Sequence, residues 1–287
     1  MKPPLYLPLT VAGVFLVLFA AERAFPLRRP TARWFARLVV NAAISFVAFT
    51  VAAVIVQPSA VSTLEWASAQ RFGLVQLLPG PSWARFIVGF LLLDLSFYYW
   101  HVANHRVPLL WRFHNVHHMD PDLDVSTGFR FHFGEVLLST LFRVVQVSTT
   151  GISLATFAAY ELVFQANTLF HHSNVRLPVR VERFLNRVLV TPRMHGIHHS
   201  QVRHETNSNY GVVFCWWDRL HRTLGLNVPQ ADIEVGIPGY SRPEDNRFWH
   251  TVIQPFRKQR DYWRKPDGTM PLREPAGVAV SAPRLIE

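Results

Sequence analysis

Long apolar blocks separated by short polar connections dominate the first half of the chain, and blocks of such length read as helices rather than strands. Leu5–Ala21 is apolar, Gly, Pro or Tyr everywhere except at Thr10 and stops at Glu22 and Arg23. Leu38–Val56 is interrupted only by Asn41, Ser45 and Thr50, and Trp83–Trp100 only by Arg85, Asp94 and Ser96. Each is long enough to cross a bilayer as a helix. A signal peptide would need a stronger basic start than Lys2 and a secreted domain after it. A fourth apolar stretch, Val136–Phe164, is broken at Thr149-Thr150-Gly151. Two halves of about 15 residues reach only about 22 Å each, so a hairpin that returns to its starting side is expected. Leu177–Val190 places Val181, Phe184, Leu185 and Val188 on one stripe with arginines beside it, the pattern of an interfacial helix.

Charge orients these blocks. Arg23, Arg28, Arg29, Arg33 and Arg37 lie between the first two, whereas the Gln57–Ser82 connection holds only Arg71 among its basic residues. The positive-inside rule then puts the first loop, and the end of the third block, in the cytoplasm. The formal net charge is +10 although only 17% of residues are charged. Because the arginines flank apolar blocks without forming a continuous basic face, they fit anionic lipid and not nucleic acid. The single cysteine, Cys215, excludes an intramolecular disulfide. The expected fold is therefore all-α, an integral membrane bundle of about three spanning helices plus a short hairpin, with a cytosolic histidine-rich helical cap. Residues 1–256 form one domain, and 257–287 a mostly irregular tail.

Of 14 histidines, 12 fall between His101 and His204. His101 and His105 are spaced i, i+4 on one helix face. His114, His117 and His118 follow as HNVHH, and His195, His198 and His199 as HGIHH. Each triplet places three imidazoles at i, i+3 and i+4, and imidazole is the commonest metal ligand. His171 and His172 lie between them, with Asn167 four residues before His171. Ten such histidines are too many for one ion and suit two ions at four to five ligands each. Imidazole alone accepts zinc, copper, iron or nickel. Asp94, two helical turns before His101, is placed to orient an imidazole. His132, His204, His221 and His250 lack partner spacing and read as structural. No nucleotide-binding or P-loop motif is present, so any redox chemistry draws electrons from another protein.

Taken together, His101–His105, LWRFHNVHH at Leu110–His118, STGFRFHFGE at Ser126–Glu135, FHHSN at Phe170–Asn174, TPRMHGIHHS at Thr191–Ser200 and NYG…WWDRL at Asn209–Leu220 resemble the fatty acid hydroxylase/sterol desaturase superfamily of membrane di-iron oxygenases. The ordered motifs cover roughly residues 90–222. The resemblance implies two iron ions, replaceable by zinc on purification, with dioxygen as co-substrate and an aliphatic C–H of a lipid as target. It implies an external electron donor of ferredoxin or cytochrome type. It carries over His101, His105, His114, His117, His118, His195, His198 and His199 as ligands, with one or both of His171 and His172, and aligns Asn167 as a partner of His171. Phe133 stands where the family commonly has proline, and His221 where it commonly has phenylalanine. Sterol, carotenoid, fatty acyl and alkylglycerol substrates stay open, as does hydroxylation versus desaturation. Two rival readings are a non-redox dinuclear hydrolase or isomerase and a metal-handling membrane protein.

Overall fold

The computed structural model describes residues 6–273, and these contain helices and turns but no β-strand. Helix α1 (Tyr6–Ala24) ends at a buried Glu22, whose carboxylate accepts the Val125 and Asn174 N–H groups. Helix α2 (Trp34–Val51) does not stop at Val56 as the sequence suggests. It passes through a π turn (Ala52–Val56) into α3 (Gln57–Ala69), so much of the expected Gln57–Ser82 connection is helical. Pro58 explains the detour. It has no N–H to give, and the widened turn ahead of it, in which the Gln57 N–H reaches the Ala52 carbonyl, carries the helix past it. After the single turn α4 (Leu74–Leu77), α5 (Ser82–Arg106) runs until Val107. Pro108 holds Val107 extended and then opens α6 (Pro108–His118) from its first turn.

The Thr149–Gly151 break falls where expected, but the helices flanking it are longer. Helix α7 (Phe133–Thr150) starts under a His132 cap, its Nδ1 accepting the Gly134 N–H. It ends at left-handed Gly151, φ 63°, and Ser153 then caps α8 (Leu154–His172). At 18 and 19 residues these helices rise about 27 and 29 Å, because their polar ends are helical too. Gly151 is required: a Cβ there would strike the Phe72 carbonyl and the Gly73 backbone.

Five long helices share one end of the bundle. The end of α1 and the start of α2 are tied to residues 120–130, while the end of α5, the start of α7 and the end of α8 bring histidines or Glu135 there. Thus α7 leaves the histidine end and α8 returns to it. The apolar core between α3, α5, α7 and α8 contains Leu64, Leu93, Phe97, Val147 and Tyr160. Two stretches among the described residues are long and apolar enough to cross a membrane, Trp34–Leu77 and Ser82–Arg106. Phe46, Val54, Leu77, Trp83 and Leu141 point outward at 66–76% exposure, an outer surface suited to hydrocarbon.

The remaining elements cover the histidine end. They are α9 (Val179–Leu185), α10 (Pro192–His198), α11 (Arg203–Thr206), α12 (Trp216–His221) and α13 (Phe248–Ile253). Helix α9 is shorter than the expected interfacial segment, although Val181 and Phe184 are exposed on it. Residues 257–273 are mostly irregular but not detached. Trp263 stacks on Trp111 at 5.9 Å, and Arg273 pairs with Glu205. Residues 274–287 of the expected tail lie outside the described residues.

One arginine read from sequence as loop charge has a different partner. Arg37 lies one turn inside α2, buried, with Nε 2.7 Å and Nη2 2.9 Å from the two Asp120 carboxylate oxygens and Nη1 2.7 Å from Asp124. Asn41 and Thr127 complete the network on Asp120. Burial alone would raise the Asp120 carboxyl, but Arg37 and Arg130 outweigh it and hold the group down at about 2.

Candidate metal centre

Nine imidazoles converge into two groups. His101, His105, His114, His118 and His198 form one; His117, His172, His195 and His199 form the other, with ligand nitrogens inside each group no more than 4.8 Å apart. The triplets are shared between them. On α6 the i and i+4 residues, His114 and His118, face the first group, and i+3, His117, faces the second. On α10 the assignment reverses: His195 and His199 serve the second group and His198 the first. The groups abut where His118 and His199 stack at 4.3 Å. His171 stands outside both groups, its ring 4.1 Å from that of His195 and its Nδ1 3.3 Å from the Asn167 amide, which also donates to the Val212 carbonyl.

Hydrogen bonds at Nδ1 fix five of the rings. His101 donates to the Tyr210 carbonyl at 2.8 Å, His117 to Arg130 at 3.3 Å, His172 to Thr168 at 2.7 Å and His198 to Ser208 at 2.7 Å. His114 donates to the Glu135 carboxylate at 2.8 Å. A carbonyl only accepts, so the proton sits on Nδ1 and Nε2 keeps its lone pair.

These tautomers decide whether the residues fit a metal. His172 Nε2 lies 2.9 Å from His117 Nε2 and 3.0 Å from His195 Nε2, and His199 Nε2 lies 3.2 Å from His195 Nε2. Lone pairs of His117 and His172 therefore face each other, an arrangement that repels unless a cation lies between. Four imidazoles around one ion at about 2.1 Å would stand roughly 3.4 Å apart, close to what is seen. In the first group the His114 and His198 Nε2 atoms, and both nitrogens of His105 and His118, are buried without partners. Protons are a poor substitute. Burial and neighbouring imidazoles push His117, His118, His195 and His199 well below the ordinary histidine range, and burial pushes His198 down to about 3. The donor set is all neutral nitrogen, with no thiolate, and it fits two divalent transition metals.

Of the support residues expected from sequence, Asp94 touches no imidazole. It accepts from Trp217 Nε1 at 2.7 Å, the Phe214 and Val213 N–H groups at 3.1 and 3.3 Å and Tyr160 at 3.1 Å. Asp218 takes the Tyr210 and Gly211 N–H groups at 2.8 and 2.7 Å, and burial pushes its carboxyl up to about 6. The two carboxylates fix segment 210–217, and through the Tyr210 carbonyl they orient His101. Glu135 is the carboxylate that meets an imidazole directly. Sequence reasoning passed over it; a carboxylate in the first turn of a helix that follows a histidine motif was the available signal. Phe133 fills the first helical position that proline would take, and His221 stacks on Tyr98 at 4.7 Å while bonding Tyr99, so both departures from the motif are accommodated structurally. His132, His204, His221 and His250 lie outside both groups.

A cavity of about 200 Å³ lies against the site. His101, His114, His117, His172 and His195 line its inner end, and Phe49, Ala52, Val56, Phe97, Phe129 and Phe164 line its walls.

Residues 86–223 match the fatty acid hydroxylase family. The chain is 30% identical over 201 residues to an ornithine lipid hydroxylase from Rhizobium tropici, an alignment covering 69% of this chain and 59% of that relative. It is 27% identical over 172 residues to the human alkylglycerol monooxygenase, covering 58% of this chain and 35% of the relative. It is 29% identical over 154 residues to the mouse cholesterol 25-hydroxylase, covering 53% and 48%. The chain thus spans between about a third and three fifths of these relatives. No solved structure gives a significant match.

Proposed function

We propose that this chain, which belongs to the fatty acid hydroxylase family, is a multi-pass membrane oxygenase with a dinuclear metal site on the cytoplasmic face. Its substrate is a lipid, and its reaction is hydroxylation of an aliphatic C–H. The observation that carries the reading is the pair of imidazole groups, with facing lone pairs, at the inner end of an apolar cavity. His101, His105, His114, His118 and His198 would hold one ion, and His117, His172, His195 and His199 the other. His171, steadied by Asn167, stands beside the second group, its ring 4.1 Å from that of His195. Iron held there would supply the activation of dioxygen, with electrons from a ferredoxin- or cytochrome-type donor. The protein's own part is positional. Glu135 and the backbone carbonyls of Tyr210, Arg130, Thr168 and Ser208 hold the rings at fixed tautomers, and the aromatic cavity wall excludes water and admits an alkyl chain. Hydroxylation is preferred to desaturation because the relatives are named hydroxylases and monooxygenases.

Three measurements test the reading. Metal analysis of protein purified without chelator is expected to return close to two equivalents, as iron or with zinc replacing it; full occupancy near one equivalent refutes the dinuclear site. Mass spectrometry of lipids from cells with and without the protein is expected to reveal a species heavier by one oxygen. For topology, single cysteines replacing Asp122 and Gln201 in a Cys215→Ser background should label with an impermeant thiol reagent from the same side. Labelling from opposite sides would remove the orientation.

A further inference from the structure

One charged pair stands inside the apolar cavity. Arg143 of α7 is buried and donates from Nη2 to Glu161 Oε1 of α8 at 2.5 Å and from Nη1 to Gln146 at 3.0 Å, while its guanidinium lies over the Phe97 ring at 4.3 Å. Both side chains line the cavity, with Gln165 and Ser139 beside them. Glu161 is half-buried, and its second oxygen accepts no hydrogen bond among the described residues. Charges in the interior of a membrane bundle are costly, and two helices can be clipped together by apolar contacts alone. A pair kept there with one oxygen open to the cavity suggests a ligand.

We propose that Arg143 and Glu161 form a recognition site for a neutral hydroxyl on the substrate, distant from the carbon that is oxidised. The proposal rests on the lipid oxygenase reading. The pair is neutral overall, so a carboxylate would meet Glu161 and an ammonium would meet Arg143. A hydroxyl donates to the open carboxylate oxygen and accepts from the guanidinium, satisfying both. The helices set the distance: eight residues separate Glu135, beside His114, from Arg143, and eleven separate Glu161 from His172, which are rises of roughly 12 and 16 Å. The pair therefore selects lipids whose hydroxyl and target carbon are that far apart.

Competition against tritiated lauryl alcohol, measured on the full chain purified in detergent with its metal, tests this. Unlabelled lauryl alcohol is expected to compete about tenfold or more better than dodecane, laurate or laurylamine, because a site built for a hydroxyl rejects an analogue lacking it. In Glu161→Gln the guanidinium keeps a neutral neighbour, so laurate should overtake the alcohol. In Arg143→Met laurylamine should do so. Equal competition by lauryl alcohol and dodecane in the unaltered protein overturns the proposal, as does an unchanged order in Glu161→Gln, or variants that lose all four compounds alike, as a merely structural pair would. Binding is read without turnover. Ordered binding with no oxygenated product would refute the oxygenase reading alone, whereas product formation without ordered binding would refute the hydroxyl site alone.

Discussion

HNVHH on α6 and HGIHH on α10 have the same spacing, yet they are held differently. On α6, His114 is backed by the Glu135 carboxylate, and the chain beyond His118 enters the network of Arg37, Asn41, Asp120, Asp124 and Arg130. On α10 no carboxylate touches an imidazole. His198 leans on the Ser208 carbonyl, and the helix, only seven residues long, is held at its start by the buried Glu182 carboxylate, which accepts the Arg193 N–H and pairs with the Arg193 guanidinium at 2.8 Å, and further on by close packing of Arg28 against Gly196. Periodicity decides which imidazoles of a triplet share a group; which group that is, and the support, come from whatever the fold brings near. Removing the carboxylate that touches an imidazole should therefore be felt in the α6 half, and a change of volume at Gly196 in the α10 half.

Removing the central member of either triplet should have the largest effect. His117→Ala takes a nitrogen from the second group and His198→Ala one from the first. Each is expected to bring turnover to background and to lower bound metal by up to one equivalent, while membrane insertion, read by fractionation, is unaffected. Normal turnover in either variant would remove that residue from the ligand set. His250→Ala, outside both groups, should behave like the unaltered protein. Next comes the ionic network. Arg37→Ala strands Asp120 in a buried site, at an expected cost of about 3–5 kcal/mol, read as a loss of thermal stability larger than for Gly196→Ala on α10. Glu135→Gln keeps an acceptor for His114 but removes the charge. Its metal affinity should fall about tenfold, and that of Glu135→Ala toward about a hundredfold, by chelator competition.

The difference between the halves also marks what can be read from sequence. The histidine motifs and the Gly151 break were legible because each depends on residues within one or two turns of each other. Asp94 was placed correctly on the face of α5 that carries His101, but periodicity names a face and not a partner, and its carboxylate turns instead to Trp217 and the backbone 119–120 residues downstream. Arg37 looked like loop charge because its acidic partners lie more than 80 residues away. Glu135 meets His114 only after the chain has turned through residues 119–132. The helix that continues past Pro58 was hidden because a proline is normally a stop signal, and only the π turn before it makes it passable.

Volume is the finer test of the α10 half. A Cβ at Gly196 would overlap Arg28 Nη1, which donates to Gln230 Oε1 at 2.6 Å, and Gln230 in turn donates to the Arg193 carbonyl on α10. Arg28 is thus held at both ends of its contact and yields only by breaking a hydrogen bond. Gly196→Ala should cost about 1 kcal/mol in thermal unfolding, and more in metal affinity of the second group than of the first, since His195 precedes the glycine directly. Arg28→Ala alone should cost a similar amount by freeing Gln230. The double variant is expected to be less destabilised than the sum of the two, because the clash and the lost hydrogen bond share one side chain. Strict additivity would mean that α10 is positioned by its own backbone and not by Arg28.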